Sequence, residues 1–235
     1  MGSTLEIGVS QVVRTVFPPP ESTNSTYKKL GSAAHSAIAQ YFRTIASIKD
    51  APIDSKYKQK QLELASRLAI NSNFQGMKEK HETEMKEWVE CYLDQHMTRI
   101  NFLGKGIKDG SYDYLFPLAV ERPFYLKCPF DVDGNRIWLS GKVDILWLSR
   151  EQQGVLIEEI KAIKWDDTFF QDRHELQAAL YYYLVKLCPG LSPANSVRIS
   201  YLPMLDSNHV QITDQLIEKV VNGISTTAKQ LIAKS

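Results

Sequence analysis

Apolar residues recur at three- and four-residue spacing from about Tyr27 to Lys49, with Ala34, Ile38, Phe42 and Ile45 on one stripe, which predicts a long amphipathic helix. The chain before it, residues 1–24, ends in Phe17-Pro18-Pro19-Pro20 and a Ser/Thr/Asn cluster. It is expected to be an irregular lead-in with at most a short helix near Val9 to Val16. Ala51-Pro52-Ile53-Asp54 breaks the pattern, and a second helix is predicted from Ser55 to Ile70, interrupted by Asn71-Ser72-Asn73 and Gly76. A third covers Lys78 to Arg99, with Met85, Trp88, Val89, Tyr92, Leu93 and His96 on one side and alternating charges on a solvated face.

After a loop punctuated by Gly104, Gly106 and Gly110, the period changes from 3.6 to 2. Strands are predicted at Leu118 to Lys127 and Ile137 to Leu148, with Asp133-Gly134 as a hairpin turn signal. A third strand is predicted from Val155 to Lys161. A helix from Asp172 to Leu187, a strand from Val197 to Leu202 and an amphipathic helix from Ile212 to Ala233 complete the chain. The order predicts a mixed α/β protein with a central mixed β-sheet flanked by helices. We read residues 1–235 as a single domain, with an N-terminal helical portion over 1–110 and the sheet core and closing helices over 111–235.

Composition narrows the classes. With 43% hydrophobic and 23% charged residues, the chain is ordinary for a globular protein. A net charge of +1 gives no global basic field, so nucleic-acid binding would need a local patch. The three cysteines, Cys91, Cys128 and Cys188, form no C-x-x-C pair, which argues against a zinc site or disulfide framework and for reducing surroundings. Neither a secretory signal nor a membrane span is legible, so an intracellular location, cytoplasmic or nucleoid-associated, is expected.

The chemistry gathers on one ribbon. If the strands around Ser149 to Gly154 pair as a hairpin centred between Glu151 and Gln152, Asp144 falls opposite Glu159, with Lys161 one pleat along the same face. Paired carboxylates suit a hard divalent cation, and an ammonium beside it can steady a hydroxide or the charge on a phosphoryl group. Isolated acids on a hairpin are more often simply solvated. Two other strings fail: His81-Glu82-Thr83-Glu84-Met85 lacks the second histidine of a zinc-protease motif, and Asp131-Val132-Asp133-Gly134-Asn135 has its glycine too early for a calcium loop.

Four separated pieces occur in the order of one known pattern. His35 after Leu30-Gly31-Ser32-Ala33-Ala34 resembles the G-x-x-x-H opening helix of RecB-like nucleases in the PD-(D/E)XK superfamily. Gly141-Lys142-Val143-Asp144 is similar to their G-x-x-D motif, Glu159-Ile160-Lys161 to (D/E)-x-K, and Gln177 to Tyr181 to Q-x-x-x-Y. The resemblance implies a restriction-endonuclease-like core. It further implies that His35, Asp144, Glu159 and the backbone carbonyl of Ile160 ligate Mg2+ or Mn2+, with Asp144, Glu159 and Lys161 catalytic and Lys161 orienting the attacking water. Gln177 and Tyr181 would position DNA or brace Lys161, and Glu121 resembles an upstream glutamate of the preceding strand. Lys164, with Lys28, Lys29, Arg122, Lys142 and Arg173, could line a DNA path. Some relatives bind an iron–sulfur cluster through four cysteines; only Cys188 lies beyond these motifs, so no such cluster is expected. Ala162 stands where a threonine often follows the lysine. The lead-in, Ile7 to Pro18, looks more like cluster-free phage-type and mitochondrial exonucleases.

The expectation is therefore a metal-dependent deoxyribonuclease, an exonuclease acting on DNA ends in repair or recombination. A catalytically silent nucleic-acid-binding scaffold of the same fold is the alternative, and a hydrolase of free nucleotides is a third.

Overall fold

A computed structural model of the chain describes residues 3–18, 25–47, 55–77, 81–104, 115–149, 154–162 and 168–234. In order, its elements are β1 (Thr4–Gly8), α1 (Val9–Val16), α2 (Ser25–Ala46), α3 (Ser55–Phe74), α4 (Glu82–Gly104), β2 (Ala119–Val132), β3 (Asn135–Ser149) and β4 (Gly154–Lys161). These are followed by α5 (Thr168–Leu187), β5 (Pro193–Tyr201), β6 (Asp206–Gln211) and α6 (Asp214–Ile232).

The strands form one six-stranded sheet in the order β1-β3-β4-β5-β6, with β2 also on β3. β2 runs antiparallel to β3 from Ala119↔Leu146 to Val132↔Asn135 and occupies one edge of it. The turn between them has Asp133 at φ 48° and Gly134 at φ 75°, the doubly positive conformation for which Asp-Gly is suited. The other edge of β3 is shared. Its first half pairs in parallel with β1, Thr4↔Arg136 to Gly8↔Ser140, and its last five residues pair antiparallel with β4, Ile145↔Glu158 to Ser149↔Gly154. Between the two ladders, Gly141 to Asp144 are left at a fork in the sheet.

Helices cover both faces, so the sheet's centre reads as continuous apolar runs instead of strict alternation. Val143 to Trp147 are buried without interruption. One core joins the sheet to α1, α5 and α6 through Val9, Val13, Leu176, Leu180, Leu184, Val220 and Ile224. The second joins the opposite face to α2, α3 and α4 through Leu30, Ile38, Phe42, Leu62, Met85 and Leu93, meeting Ile145, Trp147 and Ile160 of the sheet.

Four local expectations are corrected. The lead-in contains β1, a strand whose pairing partners lie more than 130 residues away, so the N-terminal portion contributes to the sheet as well as helices. Asn71-Ser72-Asn73 do not break α3. Ser72 Oγ donates back to the Leu68 carbonyl at 2.8 Å and Asn73 Nδ2 to that of Ala69 at 2.8 Å, which satisfies their polar groups inside the helix. α4 continues past Arg99 to Gly104. The polar segment Asp206–Gln211, unassigned from its pattern, is the antiparallel edge strand β6. Residues 105–114 and 163–167 lie outside the described residues, as therefore does Lys164.

His96 is a core residue that titrates. A carbonyl can only accept, so Nε2–H donates to Leu115 O at 2.8 Å and Nδ1 accepts from the Tyr41 hydroxyl at 3.0 Å, which fixes the neutral tautomer. Burial pushes its pKa down to about 4, against the pull of the Leu115 carbonyl. The unfolded chain takes up this proton near 6.5 and the folded chain only near 4, so the stabilisation is full above pH 6.5 and is lost as pH falls toward 4. Urea unfolding of the wild type should therefore lose about 2 kcal/mol from this residue between pH 7 and pH 5. His96→Gln should be less stable at pH 7 and flatter across that interval. An equal pH slope in the two proteins would contradict the assignment.

Candidate active site

The register of the β3–β4 hairpin follows the expected centre, because every pair from Ser149↔Gly154 to Ile145↔Glu158 obeys the same offset. Continuing that offset one step brings Asp144 level with Glu159, where the ladder ends. There the backbone N–H of Ile160 donates to Asp144 Oδ2 at 2.8 Å, so a side chain replaces the missing strand partner. Asp144 is thereby fixed by β4 itself.

From the α2 side, His35 brings Nδ1 to 3.3 Å from Asp144 Oδ1, across 109 residues of sequence. Burial works against charge on both groups, yet their mutual hydrogen bond and attraction outweigh it. The imidazole is lifted above its ordinary pKa and the carboxyl held below its own. From the α5 side, Gln177 completes a ring of contacts. Lys161 Nζ donates to Glu159 Oε1 at 2.8 Å and to Gln177 Oε1 at 2.7 Å, while Gln177 Nε2 donates to Glu159 Oε1 at 2.8 Å. Tyr181 is buried and its hydroxyl accepts from Gln177 Nε2 at 3.3 Å.

The other oxygen of Glu159, Oε2, is buried without a hydrogen-bond partner among the described residues. A buried carboxylate oxygen left open is costly unless something positive meets it. Burial, with the Asp144 charge, pushes the Glu159 carboxyl up to about 7 despite Lys161. Among the described residues no three or more His, Cys, Asp or Glu side chains form a ready-made metal cage. The donor set nonetheless fits a hard divalent cation. It offers the open Glu159 oxygen, Asp144 and the imidazole of His35, whose side chain is 29% exposed. A cation there would replace the His35–Asp144 contact.

Glu121, on β2, lies level with Asp144 of β3, between the pairs Val120↔Ile145 and Arg122↔Val143. Its carboxylate is taken up elsewhere, accepting from Arg43 Nη2 and Lys142 Nζ, each at 2.6 Å. The expected set of His35, Asp144, Glu159, Ile160, Lys161, Gln177 and Tyr181 is thus gathered at the fork, with Glu121 beside it.

Sequence reasoning did not single out Glu158, which points from β4 into the opposite core. Its carboxylate accepts from Tyr92 Oη at 3.1 Å, Trp147 Nε1 at 2.6 Å and the Ser200 hydroxyl, with Arg198 Nη1 at 3.6 Å. Two adjacent acids in a strand interior were the available signal, since alternation must send them to opposite faces. Glu158 is satisfied by several donors; Glu159 keeps one oxygen open.

Gly141 explains the glycine of the G-x-x-D string. A Cβ there would come within 2.8 Å of Val9 Cγ2, 3.1 Å of Leu184 Cδ1 and 3.2 Å of Tyr181 Cε1. The absent side chain lets α1 and α5 close over the fork and seat Tyr181 under Gln177.

The chain matches the PD-(D/E)XK nuclease superfamily over residues 9–234, and it belongs to that superfamily. No curated protein matches it in sequence. Among solved structures, it is similar to SSO0001, with 14% identity over 98% of this chain and 76% of that one and a TM-score of 0.42. It is also similar to a candidate exonuclease from Eubacterium rectale, with 14% identity over 97% of this chain and 80% of that one and a TM-score of 0.46.

Gly141→Ala should cost about 1–3 kcal/mol through overpacking and disturb Tyr181. Chemical denaturation at neutral pH checks this, and an unchanged midpoint would show that the α1–β3–α5 contact is looser than the distances imply.

Proposed function

We propose that this PD-(D/E)XK superfamily member is a divalent-metal-dependent deoxyribonuclease of the RecB-like, cluster-free kind, hydrolysing phosphodiester bonds from DNA ends. The observation that carries the reading is the open, buried Glu159 oxygen beside Asp144, His35 and Lys161. Proteins of this superfamily typically use divalent metals and act on nucleic acid. Mg2+ or Mn2+ held by His35, Asp144, Glu159 and the Ile160 carbonyl would acidify a water and neutralise charge on the scissile phosphate.

The chain's own groups supply the rest. Lys161, whose side chain is only 13% exposed, keeps its ammonium in a low-dielectric setting where it acts more strongly on a developing oxyanion than it would in water. Gln177 bonds to both that ammonium and the Glu159 carboxylate, which restrains the pair. Asp144 is anchored by a main-chain N–H and His35 is carried on a helix packed into the second core, so the four groups are positioned before substrate arrives.

The alternative is a scaffold that binds nucleic acid without cutting it, favoured by the net charge of +1. End-labelled linear DNA separates the two. Wild-type protein with Mg2+ or Mn2+ should release nucleotides from ends and stop with chelator. Lys161→Ala should slow cleavage about 10²–10³-fold while still unfolding cooperatively. Metal-independent cleavage would overturn the metal-dependent reading, and full activity of Lys161→Ala would overturn the role given to this site; DNA binding by the wild type without any cleavage would favour the scaffold.

A further inference from the structure

We propose that Arg43 and Lys142 form a phosphate-binding site flanking the candidate active centre, that the Glu121 carboxylate fills it in the free protein, and that one nucleic-acid strand reaches it along the groove between α2 and α3. This rests on the nuclease reading above and names the part of the substrate contacted, its sugar–phosphate backbone.

The Glu121 carboxylate bridges a guanidinium and an ammonium, Oε2 to Arg43 and Oε1 to Lys142, both at 2.6 Å. Both cations are more than half exposed, at 57% and 56%, while the carboxylate between them is 19% exposed. Ion pairs with such exposed partners contribute only about 0–1 kcal/mol each, so stability gives little reason for them. They come with a cost, because Glu121 sits at φ 48°, a left-handed conformation inside a strand. A non-glycine residue held there is strained by roughly 1–3 kcal/mol, and such strain concentrates at functional sites. A planar carboxylate held by two cations is the internal counterpart of two phosphate oxygens, which the same guanidinium and ammonium would bind with comparable hydrogen bonds.

The surroundings supply a route. An open groove of about 490 Å³ is lined by Ser36, Gln40, Arg43, Thr44, Asn73 and Glu121, and it begins one residue from His35. A second groove of about 480 Å³ shares Ser36 and Asn73 and adds Lys28, Lys29 and Ser32, with Ala33 and Met77 as its apolar wall. From Lys28 to Arg43 along α2 the path is about 22 Å at 1.5 Å per residue, long enough for several nucleotides. Among the described residues, the hydroxyls, amides and cations of the two grooves are placed for phosphate and sugar contacts that carry no sequence information. Phosphate entering between Arg43 and Lys142 displaces Glu121, so the free protein masks two of its own cations beside the site.

Fluorescence anisotropy with a labelled single-stranded oligonucleotide in EDTA, across 50–300 mM salt, tests this on the full chain. Glu121→Gln keeps the side chain's size and should bind roughly three- to tenfold tighter than wild type. Arg43→Gln and Lys142→Gln should each bind more weakly and reduce the slope of log K against log salt by about 1. The gain from Glu121→Gln should vanish in the triple variant. Wild-type binding that is unmoved by Arg43→Gln and Lys142→Gln, or not tightened by Glu121→Gln, overturns the inference and leaves the nuclease reading standing. Loss of Mg2+-dependent cleavage in Glu121→Gln with unchanged binding would place Glu121 in the metal site and also overturn it. A wild type that neither binds nor cuts the oligonucleotide removes both.

Discussion

A strand edge can be paired only once, and that constraint organises the candidate site. β3 is 15 residues long and gives one edge to β2. The other edge is divided between β1, arriving in parallel, and β4, arriving antiparallel, so the two ladders run toward each other and stop short. Backbone groups at such a fork need other partners. The Ile160 N–H finds one in Asp144, and the site residues collect around the same gap. Gly141 sits there because α1 and α5 converge on it, and His35 and Gln177 enter from the two helical layers that the sheet separates.

The adjacent acids of β4 show how the same side chain serves two ends. Glu158 faces a core where Tyr92, Trp147, Ser200 and Arg198 surround it with donors. A carboxylate so enclosed holds strand, helix and neighbouring strand in one register and offers no free lone pair to a ligand. Glu159, one residue on, is as deeply buried yet leaves Oε2 open, with Asp144 nearby raising the cost of its charge. Burial of an incompletely paired acid next to a second acid is unfavourable for folding alone. It becomes sensible where a cation is to be received.

Local pattern was enough to bring the candidate site's residues together and to give the fold class, but not the edges of the sheet. The offset that puts Asp144 level with Glu159 depends only on where a short hairpin turns, and the polar run after Ser149 marks that point. The helical stripe through Ala34, Ile38 and Phe42 likewise placed His35 at the edge of a buried face. β1 and β6 escaped because each owes its conformation to a distant or polar neighbour: Thr4–Gly8 is five residues aligned on Arg136 to Ser140, and Asp206–Gln211 has one buried residue, Val210. Asn71 to Asn73 misled for the converse reason. Residues that favour turns in isolation were held in α3 by bonds to its own carbonyls, and Asn73 also bonds to Gln40 of α2 at 2.7 Å. Arg43 carried no signal at all, since its meaning depends on a glutamate 78 residues away.

The near-neutral net charge is compatible with a polyanion as substrate, because what matters is where charge is left unmatched. Lys28, Arg43 and Lys142 sit on or beside the grooves that Ser36 shares, and the acid among them is Glu121, already committed to two of the three. On the far side of β4, positive charge is absorbed differently, with Arg198 turned onto buried Glu158. A whole-chain sum hides this difference, and near the fork the acid that covers two cations has its own backbone at φ 48°, in the left-handed region. A contact held under strain at the surface is one that a better anion can displace. Deep pairing of the Glu158 kind leaves a ligand no such opening.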